Sequence, residues 1–246
     1  MSTQPDVHLS VVIPAYNEAV RLPGTLRNVL DYLSAQPYQA EVLVVDDGST
    51  DATASIARQF ASGPTAVRLL SHLDGANHGK GATVRLGMLE SRGRFRLFMD
   101  ADSSTTLDQI DRFWPALQEG FEVVIGSRNI EGARVEVHQP KYKEVAGRLG
   151  NLFIQAFAVP GIRDTQAGFK VFSRRAAETV FPRLTIERWG YDFEALAIAR
   201  LHGFRIKEVP IIWVNAPGSK VGFRSYLEVL AEVWRVHRNL KSGAYK

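Results

Sequence analysis

Apolar and polar positions along the first half of the chain predict strands and helices in regular alternation. β-Branched and aromatic runs predict five strands, at residues 8–15, 40–47, 66–72, 95–100 and 121–128. Helical spacing of the apolar positions predicts four helices between them, at residues 18–36, 49–61, 79–92 and 106–120. Because helices alternate with strands, we expect an α/β fold with a mostly parallel central sheet flanked by helices.

The alternation ends after Arg128. Residues 129–144 are polar and predict a loop, whereas residues 145–159 and 191–203 predict helices. Residues 164–173 and 204–214 predict strands, and Pro210 indicates that the second lies at a sheet edge, since proline cannot donate to a neighbouring strand. We expect a single domain over residues 1–246, in which an α+β half at 129–215 is built onto the sheet of residues 1–128.

Composition narrows the class of protein. The 246 residues are 45% hydrophobic and 23% charged, which is typical of a soluble globular domain. The chain has no cysteine, which excludes disulfides and thiolate metal sites. No apolar run reaches the roughly 18–20 residues of a spanning helix, and the N-terminus lacks the signal-peptide pattern. We therefore expect neither a signal peptide nor a membrane-spanning segment.

The net charge of +4 is concentrated in residues 216–246, which carry six basic and two acidic side chains. As a helix, this segment places five apolar residues on one stripe: Tyr226, Leu227, Leu230, Val233 and Trp234. A basic amphipathic helix of this kind can lie in the headgroup layer of a membrane, with Trp234 at the interface. The alternative is a terminal helix docked on the core or on a partner chain. We expect no nucleic-acid partner.

Polar side chains follow the predicted strands. Asp46 and Asp47 end the second strand, Asp100 and Asp102 end the fourth, and Arg128 ends the fifth. Because ligands bind beyond the carboxyl ends of parallel strands, we expect these groups on one edge, with Arg128 beside the Asp100–Asp102 pair. Several carboxylates in one place require a cation, or N–H and O–H donors, to be tolerated.

Two common nucleotide sites do not match the sequence. The first strand is not followed by G-x-G-x-x-G, and "GANHGKGA" at residues 75–82 departs from the Walker A spacing. A Rossmann dehydrogenase and a P-loop NTPase are therefore disfavoured. The remaining candidate ligand is a nucleotide. Carboxylates would hold its base and ribose, and a metal would hold its diphosphate.

Four stretches in order, "VVIPAYNEAVRL", "VVDDGSTDAT", "NHGKGATVRLG" and "DAD", resemble family 2 glycosyltransferases, which have the GT-A fold. The later "DTQAGFKVF", "ERWGYDFEAL" and "PGSKV" resemble the subgroup that glycosylates polyprenyl phosphates, with the closest likeness to dolichyl-phosphate β-glucosyltransferases. The resemblance covers roughly residues 8–225. It implies a hexosyltransferase that binds its nucleotide sugar in residues 1–128 and its acceptor in residues 129–215, ahead of the basic helix of 216–246.

The resemblance also implies roles for individual residues. Asp102 coordinates Mg²⁺ or Mn²⁺ on the donor diphosphate, and Asp100 holds the ribose, assists the reaction and is a possible second ligand. Asp47 accepts from the uracil N3–H. The other implied donor-binding residues are Pro14, Ala15, Tyr16, Glu18, Asp46, Lys80 and Ala101. The implied acceptor phosphate-binding residues are Arg128, Lys220 and Arg224, and Asp164 is implied close to the reaction centre.

Structural interpretations stand beside these roles. Asp46 and Asp47 also suit caps for the helix near Ser49, and Asp192 suits the N-cap of the helix that follows it. Glu18 can be interpreted as an acid in the first turn of a helix, where the helix dipole favours it. Asp164 can be interpreted as a turn cap, and Lys80 as a solvated surface residue. Ser104 stands where related mannosyltransferases have a glutamine, so a third protein ligand to the metal stays open. The histidines show no metal-ligand spacing.

The expected reaction moves a hexose, glucose by likeness, from a UDP-sugar to a polyprenyl phosphate of the dolichyl or undecaprenyl type. A phosphate monoester is already an anion near neutral pH, so it needs cations to position it more than a base to activate it. Direct displacement would invert the anomeric configuration. The alternatives are a soluble or polysaccharide acceptor, GDP-mannose as donor, or a non-catalytic nucleotide-sugar-binding module. We expect a cytoplasmic protein, peripheral on the cytoplasmic face of a membrane.

Overall fold

The computed structural model describes residues 7–63, 65–136, 141–214 and 223–246, with the side chains at 141–146, 148, 149 and 223–227 excepted. The strands are β1 Leu9–Ala15, β2 Ala40–Asp46, β3 Ala66–Ser71, β4 Phe95–Met99, β5 Val123–Ser127, β6 Arg134–Val135, β7 Phe169–Ser173, β8 Ile206–Pro210 and β9 Ile212–Trp213. The helices are α1 Leu22–Ser34, α2 Thr53–Gln59, α3 Lys80–Glu90, α4 Trp114–Gln118, α5 Lys141–Phe157, α6 Arg174–Val180, α7 Tyr191–Leu201 and α8 Phe223–Ser242.

Seven strands form the central sheet in the order β3-β2-β1-β4-β7-β5-β8. Neighbouring strands are parallel except at β7, which pairs antiparallel with both β4 and β5. A second small sheet pairs β6 with β9 in parallel. The expected α/β fold is therefore confirmed, and so is the edge position of the strand that contains Pro210, because β8 ends the sheet.

The structure differs locally from the sequence prediction at several places, and Pro115 explains one of them. The helix expected over residues 106–120 is split into a 3₁₀ helix at Leu107–Arg112 and the short α4. Pro115 lies in the first turn of α4, where its missing N–H costs nothing, whereas it would break a continuous helix. The loop expected at 129–144 contains β6 and the start of α5, and α6 follows β7 where the sequence pattern predicts no element.

The core consists of two apolar layers, one on each face of the sheet. Successive residues of β1 alternate between them, so that Val12 packs in one layer and Val11 and Ile13 in the other. The first layer is covered by α3, α5, α6, α7 and α8, and the second by α1, α2 and α4. The second half of the chain therefore contributes both to the sheet, through β7 and β8, and to the larger layer.

Helix α8 divides the apolar stripe that the sequence predicts. Val233 is fully buried in the first layer together with Val236, whereas Leu230 is 41% and Trp234 is 58% exposed. The prediction of one stripe shared by Val233 and Trp234 is therefore wrong, and the docked alternative describes the inner face of the helix. The side chains of Tyr226 and Leu227 lie outside the described residues. Within the part of the chain that the structure describes, no helix is long and apolar enough to cross a membrane.

Candidate active site

The turn after β4, residues Asp100–Ser104, is here called the acidic turn. Thr25 of α1 donates from its hydroxyl to the Ala101 carbonyl at 2.7 Å and lies 2.8 Å from the Ser103 hydroxyl. Ser103 has a φ of 56°, in the left-handed region that is uncommon for residues other than glycine and is typical of turns. The half-buried Asp102 accepts from the Ser104 N–H at 2.9 Å. Helix α1 thus fixes the conformation that presents both aspartates.

Asp100 lies between a lysine and a glycine. The Lys80 Nζ is 2.6 Å from Asp100 Oδ1, and both side chains are 30% exposed. On the other side, a Cβ added at Gly168 would lie 2.2 Å from Asp100 Oδ2. Glycine at position 168, just before β7, therefore lets the backbone approach the carboxylate. Lys80 begins α3, so the structure brings this predicted donor-binding residue to the acidic turn rather than leaving it as a distant solvated side chain.

Behind this pair lies a second, buried ion pair. Lys170 of β7 has no exposed surface, and its Nζ lies 2.5 Å from both Asp192 Oδ1 and the Ala167 carbonyl oxygen. Burial raises the pKa of Asp192, and the positive charges of Lys170 and Lys80 only partly offset this. The N-cap prediction for Asp192 is wrong, because Gly190 holds that position and the Asp192 carboxylate serves Lys170.

Sequence reasoning did not identify Lys170. The sequence feature that could have identified it is the lysine in the middle of the apolar run "GFKVF", because a cation in a buried strand requires a partner.

Arg128 and Asp164 form a bidentate pair after β5. The Arg128 Nε and Nη2 donate to the two Asp164 oxygens at 2.8 and 2.9 Å, and the Arg128 backbone N–H donates to the same carboxylate at 2.8 Å. Burial alone would raise the pKa of the 2% exposed Asp164, but the charge and hydrogen bonds of Arg128 hold it below its ordinary value. The Arg128 guanidinium also lies 5.2 Å from the centre of the Trp213 ring.

The position of Arg128 differs in one respect from the sequence prediction. Strand β5 is not the neighbour of β4, because β7 lies between them. Burial lowers the pKa of Arg128, but the charge and hydrogen bonds of Asp164, and after them the charges of Asp100 and Asp192, raise it above its ordinary value. The side chains of Arg128 and Asp164 therefore belong to the same electrostatic neighbourhood as the acidic turn.

The pair at the end of β2 has a different role in the structure. Asp47 is 4% exposed and accepts from the backbone N–H groups of His78 and Gly79 and from the Asn77 amide, at 2.8, 3.0 and 2.9 Å. It anchors the loop before α3 and does not cap α2. Asp46 accepts from the Ser49 N–H at 3.3 Å.

The start of α2 is instead stabilised by Asp51, which accepts from the Thr53 N–H at 2.9 Å. The prediction that Asp46 and Asp47 cap this helix is therefore wrong, because α2 begins at Thr53 and Asp46 closes a turn with Ser49 ahead of it.

At the end of β1, Pro14 and Ala15 are buried and Tyr16 is 39% exposed. Glu18 precedes α1 instead of lying in its first turn, and it forms a two-contact ion pair with Arg21, at 2.6 and 2.5 Å. The hydrogen bond with Glu18 raises the pKa of Arg21 most, and the charges of Asp102 and Asp100 add to it. Arg21 is thus a cation of this site that sequence reasoning missed.

Two carboxylates of the acidic turn are candidates to hold a metal ion, and one oxygen of Asp100 is paired with Lys80. Among the described residues, no group of three or more His, Asp or Glu side chains is arranged to hold a metal. Mg²⁺ at nucleotide sites commonly takes one or two carboxylates and completes its shell with phosphate oxygens and water. Asp102, with Asp100, fits a cation that arrives with a diphosphate. Lys220 and the side chain of Arg224 lie outside the described residues.

The family model for glycosyl transferase family 2 matches residues 10–181. The chain belongs to this family. Near-full-length relatives include proteins named dolichyl-phosphate beta-glucosyltransferase. The Homo sapiens protein is 34% identical over 98% of this chain and 78% of its own length. The Mus musculus protein is 36% identical over the same shares, and the Drosophila melanogaster protein is 35% identical over 100% of this chain and 79% of its own length. This family 2 member is therefore a glycosyltransferase.

Solved structures confirm the GT-A fold of this family 2 enzyme. Glucosyl-3-phosphoglycerate synthase from Mycobacterium tuberculosis, in complex with Mn²⁺, UDP-glucose and phosphoglyceric acid, superposes with a TM-score of 0.69 at 17% identity, over 95% of this chain and 79% of that one. Mannosyl-3-phosphoglycerate synthase from Rubrobacter xylanophilus has a TM-score of 0.65 at 21% identity, over 97% and 76%. At these identities the likeness establishes the fold alone.

Proposed function

We propose that this enzyme transfers glucose from UDP-glucose to a polyprenyl phosphate with inversion of configuration. The observation that carries the proposal is the near-full-length similarity to proteins named dolichyl-phosphate beta-glucosyltransferase. The site supports it with two carboxylates suited to a diphosphate-bound cation, and with a separate arginine that can meet a phosphate acceptor.

On the donor side, Asp102 with Asp100 would hold Mg²⁺ or Mn²⁺ against the diphosphate. A bound divalent ion offsets the negative charge that develops on the departing nucleotide. Asp47 is proposed to accept from the uracil N3–H with the lone pairs that the loop before α3 leaves. We therefore expect calorimetry to show tighter binding of UDP than of GDP at the same metal concentration, and the reverse order would contradict a uridine donor.

On the acceptor side, a phosphate monoester arrives largely ionised, so positioning matters more than deprotonation. Asp164 takes two side-chain N–H groups of Arg128, and a guanidinium has five, so Arg128 retains donors for a phosphate. With Asp164 holding its orientation, Arg128 would align the acceptor oxygen for displacement at the anomeric carbon. Lys220 and Arg224 are proposed as further phosphate contacts.

Helix α8 is proposed to contact the membrane that holds the lipid acceptor. Its exposed surface combines apolar Leu230 and Trp234 with basic Arg235, Arg238 and Lys241. Such a surface suits the interfacial layer of an anionic leaflet, where each basic residue contributes about 1 kcal/mol. We infer a peripheral location on the cytoplasmic face. Vesicles with and without anionic lipid, compared for wild type and Trp234→Ala, test this contact.

The decisive experiment is a transfer screen. UDP- and GDP-sugars are incubated with a short polyprenyl phosphate, with Mg²⁺ or Mn²⁺, and the lipid product and its anomeric configuration are determined. We expect a β-glucosyl lipid phosphate from UDP-glucose. A mannosyl product from GDP-mannose, transfer only to a soluble acceptor, or nucleotide-sugar binding without any turnover would each replace the proposal with one of the alternatives.

Arg128 provides a test of the acceptor assignment. Replacing it by alanine would leave the buried Asp164 unpaired, so Arg128→Lys is the better variant, since lysine keeps the charge but loses the planar fork. We expect kcat/KM for the lipid phosphate to fall by about tenfold to a hundredfold while UDP affinity is unchanged. Arg112→Lys, at an exposed position of the 3₁₀ helix, is the control, and Lys220→Ala tests the second cation. Loss of UDP binding with an unchanged acceptor KM would place Arg128 in the donor site.

A further inference from the structure

The Lys80 ammonium competes directly with a metal ion for the Asp100 carboxylate. The Lys80 ammonium lies 2.6 Å from Asp100 Oδ1, which is hydrogen-bonding distance. A divalent cation on the same carboxylate oxygen would face a positive charge at close range, and the two cations repel strongly in a partly buried site. Lys80 and a metal ion therefore cannot both use this oxygen.

The backbone that carries Lys80 and the backbone that carries Asp100 are both held in place, so neither can move easily to separate the two cations. A Cβ added at Gly81 would lie 2.6 Å from the Ile186 carbonyl oxygen, and the Gly81 N–H donates to the Arg188 carbonyl at 3.2 Å. The start of α3 is therefore packed against residues 186–188. Asp100 is equally constrained, because the backbone of Gly168 lies directly behind it. The flexible part is the four-carbon side chain of Lys80, which is 30% exposed.

The surroundings limit where the Lys80 ammonium can go. Besides Asp100, the carboxylates whose charges act most strongly on the pKa of Lys80, raising it, are Asp192 and Asp102, and Asp102 is itself the predicted metal ligand. Asp192 is buried and already bonded to Lys170 at 2.5 Å. The donor diphosphate, which brings at least two negative charges to this turn, is the strongest remaining partner for the ammonium.

We propose that Lys80 keeps divalent cations off Asp100 until a nucleotide diphosphate is present. The Lys80 side chain then moves, and its ammonium exchanges Asp100 for the diphosphate as its ion-pair partner. This rests on the proposed donor site and adds a coupling to it. Metal alone binds weakly, metal and nucleotide bind with positive cooperativity, and Lys80 is the residue that links them. In thermodynamic terms, each ligand raises the affinity of the other by the same factor.

The test measures metal binding rather than turnover. Mn²⁺ affinity is determined by electron paramagnetic resonance, with and without UDP, for wild type, Lys80→Gln, Lys80→Met and Lys80→Arg. An adjacent opposite charge alters the proton affinity of a carboxylate by about one to three powers of ten, and we expect a divalent cation to respond in the same direction. We expect Lys80→Gln and Lys80→Met to bind Mn²⁺ alone about tenfold or more tightly than wild type, with a reduced enhancement by UDP. Lys80→Arg keeps the charge and should remain close to wild type.

The control is Lys207→Gln, which removes the same charge from an exposed position on β8. It should leave both Mn²⁺ affinities unchanged, and near-ultraviolet circular dichroism should show that all variants are folded. Metal-alone affinity in Lys80→Gln and Lys80→Met that equals or falls below wild type would overturn the proposal, as would an undiminished enhancement by UDP. If the transfer screen fails while these shifts appear, the proposed reaction is wrong and the coupling stands. If transfer succeeds without them, only the coupling is lost.

Discussion

Two aspartates lie at or just after the end of each of the strands β2 and β4, but their surroundings differ between the two turns. Asp47 is buried, and both of its oxygens accept from fixed donors of the loop before α3. Asp100 instead meets the flexible side chain of Lys80, and the half-buried Asp102 accepts from the Ser104 N–H. The comparison indicates that the donors around a carboxylate, rather than its place after a strand, decide how firmly the fold holds that carboxylate before a ligand arrives.

The strongest way to break this comparison is to neutralise Asp102. Asp102→Asn keeps the shape and should retain the Ser104 N–H bond, but it removes the charge proposed to hold the metal. We expect a loss of about 10²–10³-fold in kcat, the size seen when one preorganised electrostatic group is removed. A transfer assay with saturating substrates measures it.

Asp108→Asn, an exposed acid in the neighbouring 3₁₀ helix, should retain activity. Full wild-type transfer in the presence of EDTA, or an active Asp102→Asn, would contradict the metal assignment.

The opposite test removes the fold-holding acid. Asp47→Ala deprives three donors of their acceptor, so we expect a loss of about 1–3 kcal/mol in the free energy of unfolding. Asp102→Ala should cost less, about 0.5–1.5 kcal/mol, because it removes a single hydrogen bond, from the Ser104 N–H, at a half-buried position. Urea denaturation of the two variants compares them directly. Equal losses, or a larger loss for Asp102→Ala, would mean that the two turns do not differ as proposed.

Glu232 of α8 extends the comparison, with a smaller expected effect, to a partly buried acid that accepts from a backbone N–H. It accepts from the Gly190 N–H at 2.8 Å, and burial raises its pKa from 4.5 to about 7. Between these two pH values the unfolded chain releases this proton first, so the contribution of Glu232 to stability falls as pH rises and is constant above about 7.

Glu232→Gln retains an acceptor for Gly190 without the charge. Its free energy of unfolding should equal that of wild type near pH 4 and exceed it by about 1 kcal/mol at pH 8. This difference is smaller than the full pKa shift implies, because solvent screens a partly exposed side chain. Thermal unfolding across this range measures the difference. A wild type that is more stable than the variant at pH 8 would show that the ionised Glu232 has a favourable partner.

Local patterning was enough for the β/α alternation, and it placed Asp47, Asp100 and Asp102 just after the carboxyl ends of β2 and β4, where Lys80 meets Asp100 in the structure. Pairing between distant strands was not predictable in the same way. The run "GFKVF" indicates a strand, but nothing local states that it lies antiparallel between β4 and β5. The partners of Lys170, and the division of the α8 stripe at Val233, depend on that tertiary arrangement, so periodicity alone could not supply them.

The antiparallel insertion of β7 also has a consequence for how the protein is made. Met99 pairs with Phe169, so the open edge of β4 stays unsatisfied until the ribosome has released a long stretch of later chain. Contacts between such distant residues form slowly, and an uncovered apolar strand edge readily pairs with other chains. During synthesis the nascent first half is therefore the form most prone to aggregate. A fragment of residues 1–128 expressed alone should accumulate as insoluble material, and a soluble, monomeric fragment would show that its sheet edge is protected without β7.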